Sequence, residues 1–396
     1  QVAQYIILIV AYMIPVVWLS VKHTNIPVPQ IAYGYVLEKV TAREQVLNDP
    51  TTPDGAREAE VRAIFKQRQE AAEGKLKALE AGGATYLAEE KGKLVQAAAD
   101  LKAKPDADPK AIEAADKAVN DFPADAAAAK AAWKKAADEA KAGPIAAHAE
   151  PFAGKDDEAR NKKRKNFLAL VLCLMVGTAA LPHILMRYYT TPSVKEARQS
   201  VFWSLFFIFL LYFTAPALAV LAKFDVYTLL VGSNFSELPS WVASWATVDK
   251  TLMSITDINK DGIVQLAEIT IGGDLIVLAT PEIAGLPYVI TGLVAAGGLA
   301  AALSTADGLL LTIANALSHD VYYKMIDPHA PTTRRLAISK GLLLVVAVFA
   351  AWVTSLKPGD ILFLVGAAFS LAASAFFPAL ALGVFWKRAN KMGAIL

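Results

Sequence analysis

Cysteine is almost missing from this sequence. Cys173 is its one thiol, which excludes a disulfide framework within the chain. In an apolar helix it reads as a small buried hydrophobe. Charge is scarce as well, at 19% of residues, and the formal net charge is only +2. That balance gives no basic surface to suggest nucleic acid. No nucleophile–base pair and no phosphate-cradling loop can be picked out, so an enzyme is not expected. No charged leader or small-residue cleavage site precedes the first apolar run, so a cleavable signal peptide is not expected. The chain opens on Gln1 within an apolar run and closes at Leu396 as another begins. A piece of a longer protein is the expectation.

What abounds is apolar side chain, 55% of residues, with a mean hydropathy of +0.39. The average conceals two populations. Residues 41–165 are polar and rich in Ala, Lys and Glu, whereas most of the rest is long apolar runs. Runs of about 20 apolar residues read as membrane-spanning helices, because lipid offers an open backbone no hydrogen-bond partner. Six spans are expected, near 2–21, 166–189, 199–222, 286–319, 334–355 and 360–386. The fourth is long enough to tilt or to project beyond the lipid.

Orientation follows from Lys and Arg in the short loops. Loop 187–198 carries Arg187, Lys195 and Arg198. Loop 320–340 carries Lys324, Arg334, Arg335 and Lys340. The tail carries Lys387, Arg388 and Lys391. These segments read as cytoplasmic. The stretch 223–283, with three lysines against eight acids, then lies outside. So do the turn Lys357–Asp360 and the insert 41–165. Lys162, Lys163, Arg164 and Lys165 disagree, but long domains cross regardless of charge. Trp241 and Trp245 suit a membrane interface.

Within the insert, 56–101 reads as a helical hairpin. Val61, Phe65, Ala72, Leu76 and Leu79 mark one apolar stripe, Gly82-Gly83 a turn, and Leu87, Leu94 and Leu101 a seven-residue repeat. Pro105, Pro109, Pro123 and Pro144 break the remainder into short helices. The insert is either a docking arm for a partner or a solvated spacer.

The fourth span concentrates the chemistry. At about 100° per residue, Gly297, Ala301, Ser304, Gly308 and Asn315 share one helix face, with Leu299, Leu303, Leu310, Ile313 and Leu317 roughly opposite. Small residues allow close helix approach. Ser304, Thr305 and Asp307 are hard oxygen donors near mid-membrane, suited to a cation such as Na⁺. An ionisable group at that depth invites a functional reading. The competing reading has both hydroxyls bonded back to their own helix carbonyls and Asp307 paired with a base.

Outside the membrane, Asp257-Ile-Asn259-Lys-Asp261-Gly-Ile263-Val-Gln265-Leu-Ala-Glu268 fits the calcium-loop pattern without a gap. Asp257, Asn259 and Asp261 would wrap one side of the ion and Ile263 would offer its carbonyl. Gln265 would act directly or through water, and Glu268 would close the site with two oxygens. The alternative is an acidic turn held by Asx hydrogen bonds.

The run Ala301 to Asp307, continuing through Gly308 and Leu309 to Ser318-His319-Asp320-Val321-Tyr322, resembles the sodium:solute symporter family. The resemblance implies that Ala301 supplies a carbonyl, and Ser304 and Thr305 hydroxyls, to a sodium site. Asp307 is left as a candidate for a second cation or a proton. Gly177 to Arg187 resembles the family's interrupted sixth core helix. There Gly177, Pro182 and His183 would border the substrate path, since broken helices free backbone groups in a protected cavity. A simple proline kink is the other reading, and Arg187 sets His183 toward the cytoplasmic end. Phe376 to Arg388 looks like the end of the tenth core helix. By this resemblance the six spans are core helices five to ten and the first core helix is absent.

The fold expected is therefore an all-α membrane protein, a partial LeuT-like bundle of about six transmembrane helices with an external helical insert. Its parts would be 1–40, the first helix and its exit, then the insert 41–165, then the transporter core 166–396 with the loop 257–268. The resemblance implies sodium-coupled symport of a small organic solute across the plasma (inner) membrane, with Na⁺ as coupling ion, and the loop pattern adds Ca²⁺ as a structural ion. The insert looks like that of a bacterial branch near the acetate and monocarboxylate permeases. That branch suggests a short-chain monocarboxylate and a small membrane subunit as partner. A transporter-like sensor domain of a signalling protein and a membrane-anchored scaffold are the alternatives.

Overall fold

A computed structural model of the chain describes residues 2–103, 108–140, 145–188 and 190–395. Pro105 and Pro144 lie outside them. The described residues form helices α1 (Val2–Thr24), α2 (Pro29–Asn48), α3 (Pro53–Lys102), α4 (Pro109–Asn120), α5 (Ala126–Glu139), α6 (Asp157–Ala180), α7 (Pro182–Tyr188) and α8 (Val194–Leu229). Then come α9 (Ser240–Val248), the strand pair β1 (Met253–Ile255) and β2 (Ile269–Ile271), α10 (Ile276–Ile283) and α11 (Tyr288–Asn315). α12 (Thr332–Ser355), α13 (Ile361–Leu371), α14 (Phe377–Phe385) and α15 (Lys391–Ile395) complete the chain.

Among the described residues five helices are long and apolar enough to span a membrane, and the bent pair α6–α7, taken as one span, makes a sixth. These match the six expected spans, with longer helices than hydropathy alone outlines. The second begins at Asp157, capped by the Asp156 side chain on the Ala159 N–H. The basic run Lys162–Lys165 is thus helical and continuous with the span. The third extends to Leu229. The fourth passes beyond Asn315 into eleven residues of π-helix, Ala316–Ile326.

The break between α6 and α7 has a local cause. Leu181 precedes Pro182 and is extended, at φ −66° and ψ 118°, as a residue before proline prefers. The two helices meet at 44°, so this is a broken span and not a gentle kink. α6 lies very close to α13. A Cβ on Gly177 would stand 2.5 Å from the Phe369 carbonyl oxygen, and Cys173 Sγ is 3.1 Å from Ser370 Oγ. Cys173 is half-buried there. Only a side chain of one hydrogen permits that approach.

The best-buried core lies at one end of the bundle. Val16 and Leu19 of α1, Val36 and Val40 of α2, and Leu221 of α8 share one cluster with Leu230, Trp241, Met253 and Leu275. Trp241 is buried there. Trp245 donates its Nε1–H to Glu282 at 2.6 Å. By contrast the apolar sides of α12 to α14 are largely bare, as befits surfaces met by lipid or by further helices.

The insert shows the expected stripe. Val61, Ala72, Leu79 and Leu87 are buried, the last two with Ala129 against Tyr86, Phe122 and Trp133. Where the hairpin turn is expected, α3 is broken at one residue. Gly83 takes φ 53° and ψ −134°, a conformation that side chains disfavour.

The two ends of the bundle sort as the alternating spans require. Lys357 pairs with Asp249, and the Ile361 N–H reaches Asp274 at 3.3 Å. The turn at 357–360 therefore shares an end with 223–283. Lys357 pulls Asp249 down to about 2, helped by hydrogen bonds from Thr251.

Substituting Gly177→Ala should force α6 from α13 and cost about 1–3 kcal/mol. Thermal unfolding in detergent checks this, with Gly341→Ala, which meets open space within 4 Å, as the neutral comparison.

Candidate functional site

The polar turn of α11 is held in place from both sides. Upstream, Gly297 is buried against α1, where an added Cβ would lie 2.9 Å from Ala11 Cβ. Downstream, a Cβ on Gly308 would lie 3.2 Å from an Arg187 guanidinium nitrogen. The small-residue face thus meets protein, while Leu299 and Leu303 on the opposite face are more than half exposed. Between the glycines, Ala301 and Ser304 are half-buried and Thr305 is exposed. Thr305 Oγ1 donates to the Ala301 carbonyl at 3.1 Å, the back-bonded state weighed against cation binding. That bond sets the Thr305 hydroxyl beside the Ala301 carbonyl. A hydroxyl bonded to a carbonyl can still offer a lone pair to an ion. Three oxygens from one turn do not enclose a cation, so a facing element has to supply the rest. Asp307 is exposed and makes no ion pair among the described residues.

The three residues of the broken span separate. Gly177 serves contact with α13. Pro182 lines a cavity of about 560 Å³ with Met186, Thr312 and Asn315. His183 is half-buried, with Nδ1 shielded from solvent and without a hydrogen-bond partner.

The loop 257–268 curls on hydrogen bonds from its own backbone to its side chains, as in the acidic-turn reading. Asp257 Oδ2 accepts the Gly262 N–H at 3.1 Å, Asn259 Oδ1 the Asp261 N–H at 3.3 Å, and Asp261 Oδ1 the Ile263 N–H at 2.8 Å. Gly262 permits the turn at φ 75°. The other Asp257 oxygen, Oδ1, is buried and accepts no hydrogen bond. Glu268 is 3% exposed, and its two oxygens accept the N–H groups of Ile258 at 2.6 Å and Gln265 at 3.1 Å. Gln265 Nε2 in turn donates to Asp261 at 2.7 Å. Burial pushes the Glu268 carboxyl up, the two backbone N–H groups pull it down, and Asp257 and Asp261 push it up again. Among the described residues no three His, Cys, Asp or Glu side chains form a metal-holding group. Both Glu268 oxygens are engaged by backbone N–H groups. Short strand β1 and a 3₁₀ turn at Leu266–Glu268 flank the loop, in place of the helices of a paired EF-hand.

Reading by sequence missed the buried acids that tie the outer parts together. Glu58 of α3, 1% exposed, accepts the Ala267 N–H at 3.1 Å and pairs with Arg62 at 3.0 Å. The base of the insert is therefore fastened to the calcium-like loop. Glu44 of α2, 2% exposed, pairs with Lys223 at 2.5 Å and accepts the His148 N–H at 3.0 Å. Asp225, 1% exposed, lies 2.9 Å from Lys22 Nζ and 2.7 Å from His23 Nε2. The one available signal was an acid within or beside an apolar run, as at Asp225. Replacing Asp225 by Ala should cost about 3 kcal/mol, because it strands a partly buried lysine. Thermal unfolding checks this, and Asp225→Glu should recover part of the loss.

Residues 268–396 match the sodium:solute symporter family. That match covers α11, with its polar turn, through to the end of the chain. The whole chain is also 50% identical, over 397 residues, to a protein of Cupriavidus necator described as an uncharacterized symporter. It spans 57% of that relative's length. No solved structure matches the chain. The all-α set of membrane helices agrees with both likenesses, and the likeness to the sodium:solute symporter family is carried by residues 268–396.

Proposed function

We propose that this chain forms part of a sodium-coupled secondary transporter, with a partial LeuT-like arrangement, for a small organic solute. A short-chain monocarboxylate is the favoured solute, on the likeness of the insert to the acetate and monocarboxylate branch. The observation that carries the proposal is the Ala301–Thr305 turn. It lies between two glycine contacts, its Thr305 hydroxyl is bonded to the Ala301 carbonyl, its Ser304 is half-buried one position earlier, and its Thr305 side is exposed. Na⁺ would bind there, with ligands completed by a facing helix, and stabilise one state of the bundle. Solute bound to the same state would follow sodium downhill, as differential affinity requires. The break at Leu181–Pro182 provides free backbone groups of the kind used by transporters of this type. Asp307, exposed on the same helix, is assigned to a second cation or a proton.

Isotope uptake by vesicles holding the full-length protein tests this reading. Uptake of a short carboxylate should depend on sodium. Ser304→Ala and Thr305→Ala should each raise the half-saturating sodium concentration by about tenfold, the usual scale for loss of one ligand-shell group. Uptake indifferent to sodium, or unchanged in both variants, would remove the proposal.

The loop 257–268 we assign to a structural Ca²⁺ held by Asp257, Asn259, Asp261, the Ile263 carbonyl, Gln265 and Glu268. Its support is the curled backbone and the unpartnered Asp257 oxygen. Glu268 would exchange its backbone contacts for the ion. Affinity need only be weak, roughly 10⁻⁴–10⁻³ M, in an external module. The pH dependence has a definite sign. Because the Glu268 carboxyl is raised in the fold, its ionisation without metal costs stability, and that loss grows as pH rises above the unfolded value. Calcium should reverse this. Added Ca²⁺ should raise the melting temperature at neutral pH, and the gain should fade as pH falls through the raised Glu268 range. Glu268→Gln should abolish most of the gain, and an unchanged response would count against the site.

A further inference from the structure

The cavity beside Pro182 has features that the sodium turn does not use. It opens at the end of the bundle that carries the short Lys- and Arg-rich loops. Its volume, about 560 Å³, falls within the usual range for small-molecule sites. Its walls come from three elements. α7 contributes Met186, α12 contributes Arg335, Leu336 and Ser339, and the end of α11 with its π extension contributes Asn315 and Ser318.

The π extension is unusual. Eleven residues of wide helix are far more than the single turns in which this geometry normally occurs, and such turns cluster at functional sites. Here it places Tyr323 against α12. The Arg335 guanidinium lies over the Tyr323 ring, 3.8 Å from its centre, and His319 lies beside the same ring at 5.7 Å.

The charges around the cavity are unevenly satisfied. Arg334 is turned to Asp327 at 3.5 Å. Lys324 and His319 both contact Asp320, at 3.1 Å and 3.0 Å, so the one acid lining the cavity already has two partners. Arg335 is half-buried and makes no ion pair among the described residues. An arginine with one flat face on an aromatic ring keeps its in-plane N–H edge for a ligand. That fork matches a carboxylate, which it can hold with two parallel hydrogen bonds. Asn315, Ser318 and Ser339 add neutral polar groups, and Met186 and Leu336 give an apolar wall for a short alkyl tail.

We propose that this cavity binds a small alkyl carboxylate, with Arg335 taking the carboxylate and Met186 and Leu336 the alkyl group. As a station on the solute's way out, it rests on the transport reading above. As a binding site it stands without it.

The test uses the purified full-length protein in sodium-free choline medium, so that failure of sodium coupling does not enter. Thermal unfolding is followed while choline propionate, choline chloride or choline phosphate is titrated in. Propionate should raise the melting temperature, and chloride at equal ionic strength should not. Arg335→Gln should raise the propionate concentration for half the effect by about tenfold, a loss typical of a charge-assisted pair. Arg335→Lys keeps the charge but loses the fork, and should fall between the two. It also carries the test if Arg335→Gln does not fold. Equal propionate response in wild type and both variants, or no response at all, overturns the proposal. So does equal protection by phosphate, or loss of the propionate effect in nanodiscs of phosphatidylglycerol but not phosphatidylcholine, since either would make this a phosphate or lipid-headgroup site. Intact propionate binding alongside sodium-independent uptake would sink the transport reading and leave this site standing.

Discussion

A peptide group inside lipid has no water to bond to, and the layout of this chain follows from that constraint. Backbone irregularity has to be confined to places where protein covers it. The extended residue Leu181 stands where α6 is pressed on α13. The π-helical turns at 316–326 lie against α12, and those at 372–376 against α6. The same constraint makes glycine valuable at Gly177 and Gly297. Without water to expel, helices gain by close approach, and close approach requires that nothing project from the contact.

The membrane helices were legible in the sequence because length and hydropathy are local properties. The break at Pro182 was legible too, since proline and the residue before it carry their restrictions with them. The small-residue face of α11 followed from helical periodicity, and the contacts of Gly297 and Gly308 bear it out. The course of the loop 257–268 was written in its spacing. Other features were hidden for one shared reason. Glu58 meets Ala267 across 209 positions, and Lys223 meets Glu44 across 179. No pattern in one stretch can announce a partner so distant. The strand pair around the loop is only three residues per strand, too short for a period to register. The π extension left no mark that we could have read, since its residues are compatible with an ordinary helix.

The end of the bundle that carries the insert and the loop 257–268 is better consolidated than the membrane helices beyond α11. Buried acids on α2, α3 and α8 link the exit of the first span, the foot of the insert and the calcium-like loop into one block. Each of these acids is paired, so each fixes relative position at little net gain in stability, because desolvation offsets most of the attraction. The membrane helices beyond α11 leave most of their apolar surface bare, as suits faces met by lipid or by further helices.

That the foot of α3 is fixed has a mechanical consequence. From Pro53 to Gly82 the helix runs uninterrupted, about 45 Å at 1.5 Å per residue. A lever of that length, clamped at one end by Glu58, magnifies any rotation of its mounting. A tilt of about 10° at the base would swing its far end by roughly 8 Å, by the same geometry. Rearrangements too slight to detect among the membrane helices would thus be displayed, enlarged, well away from the lipid surface.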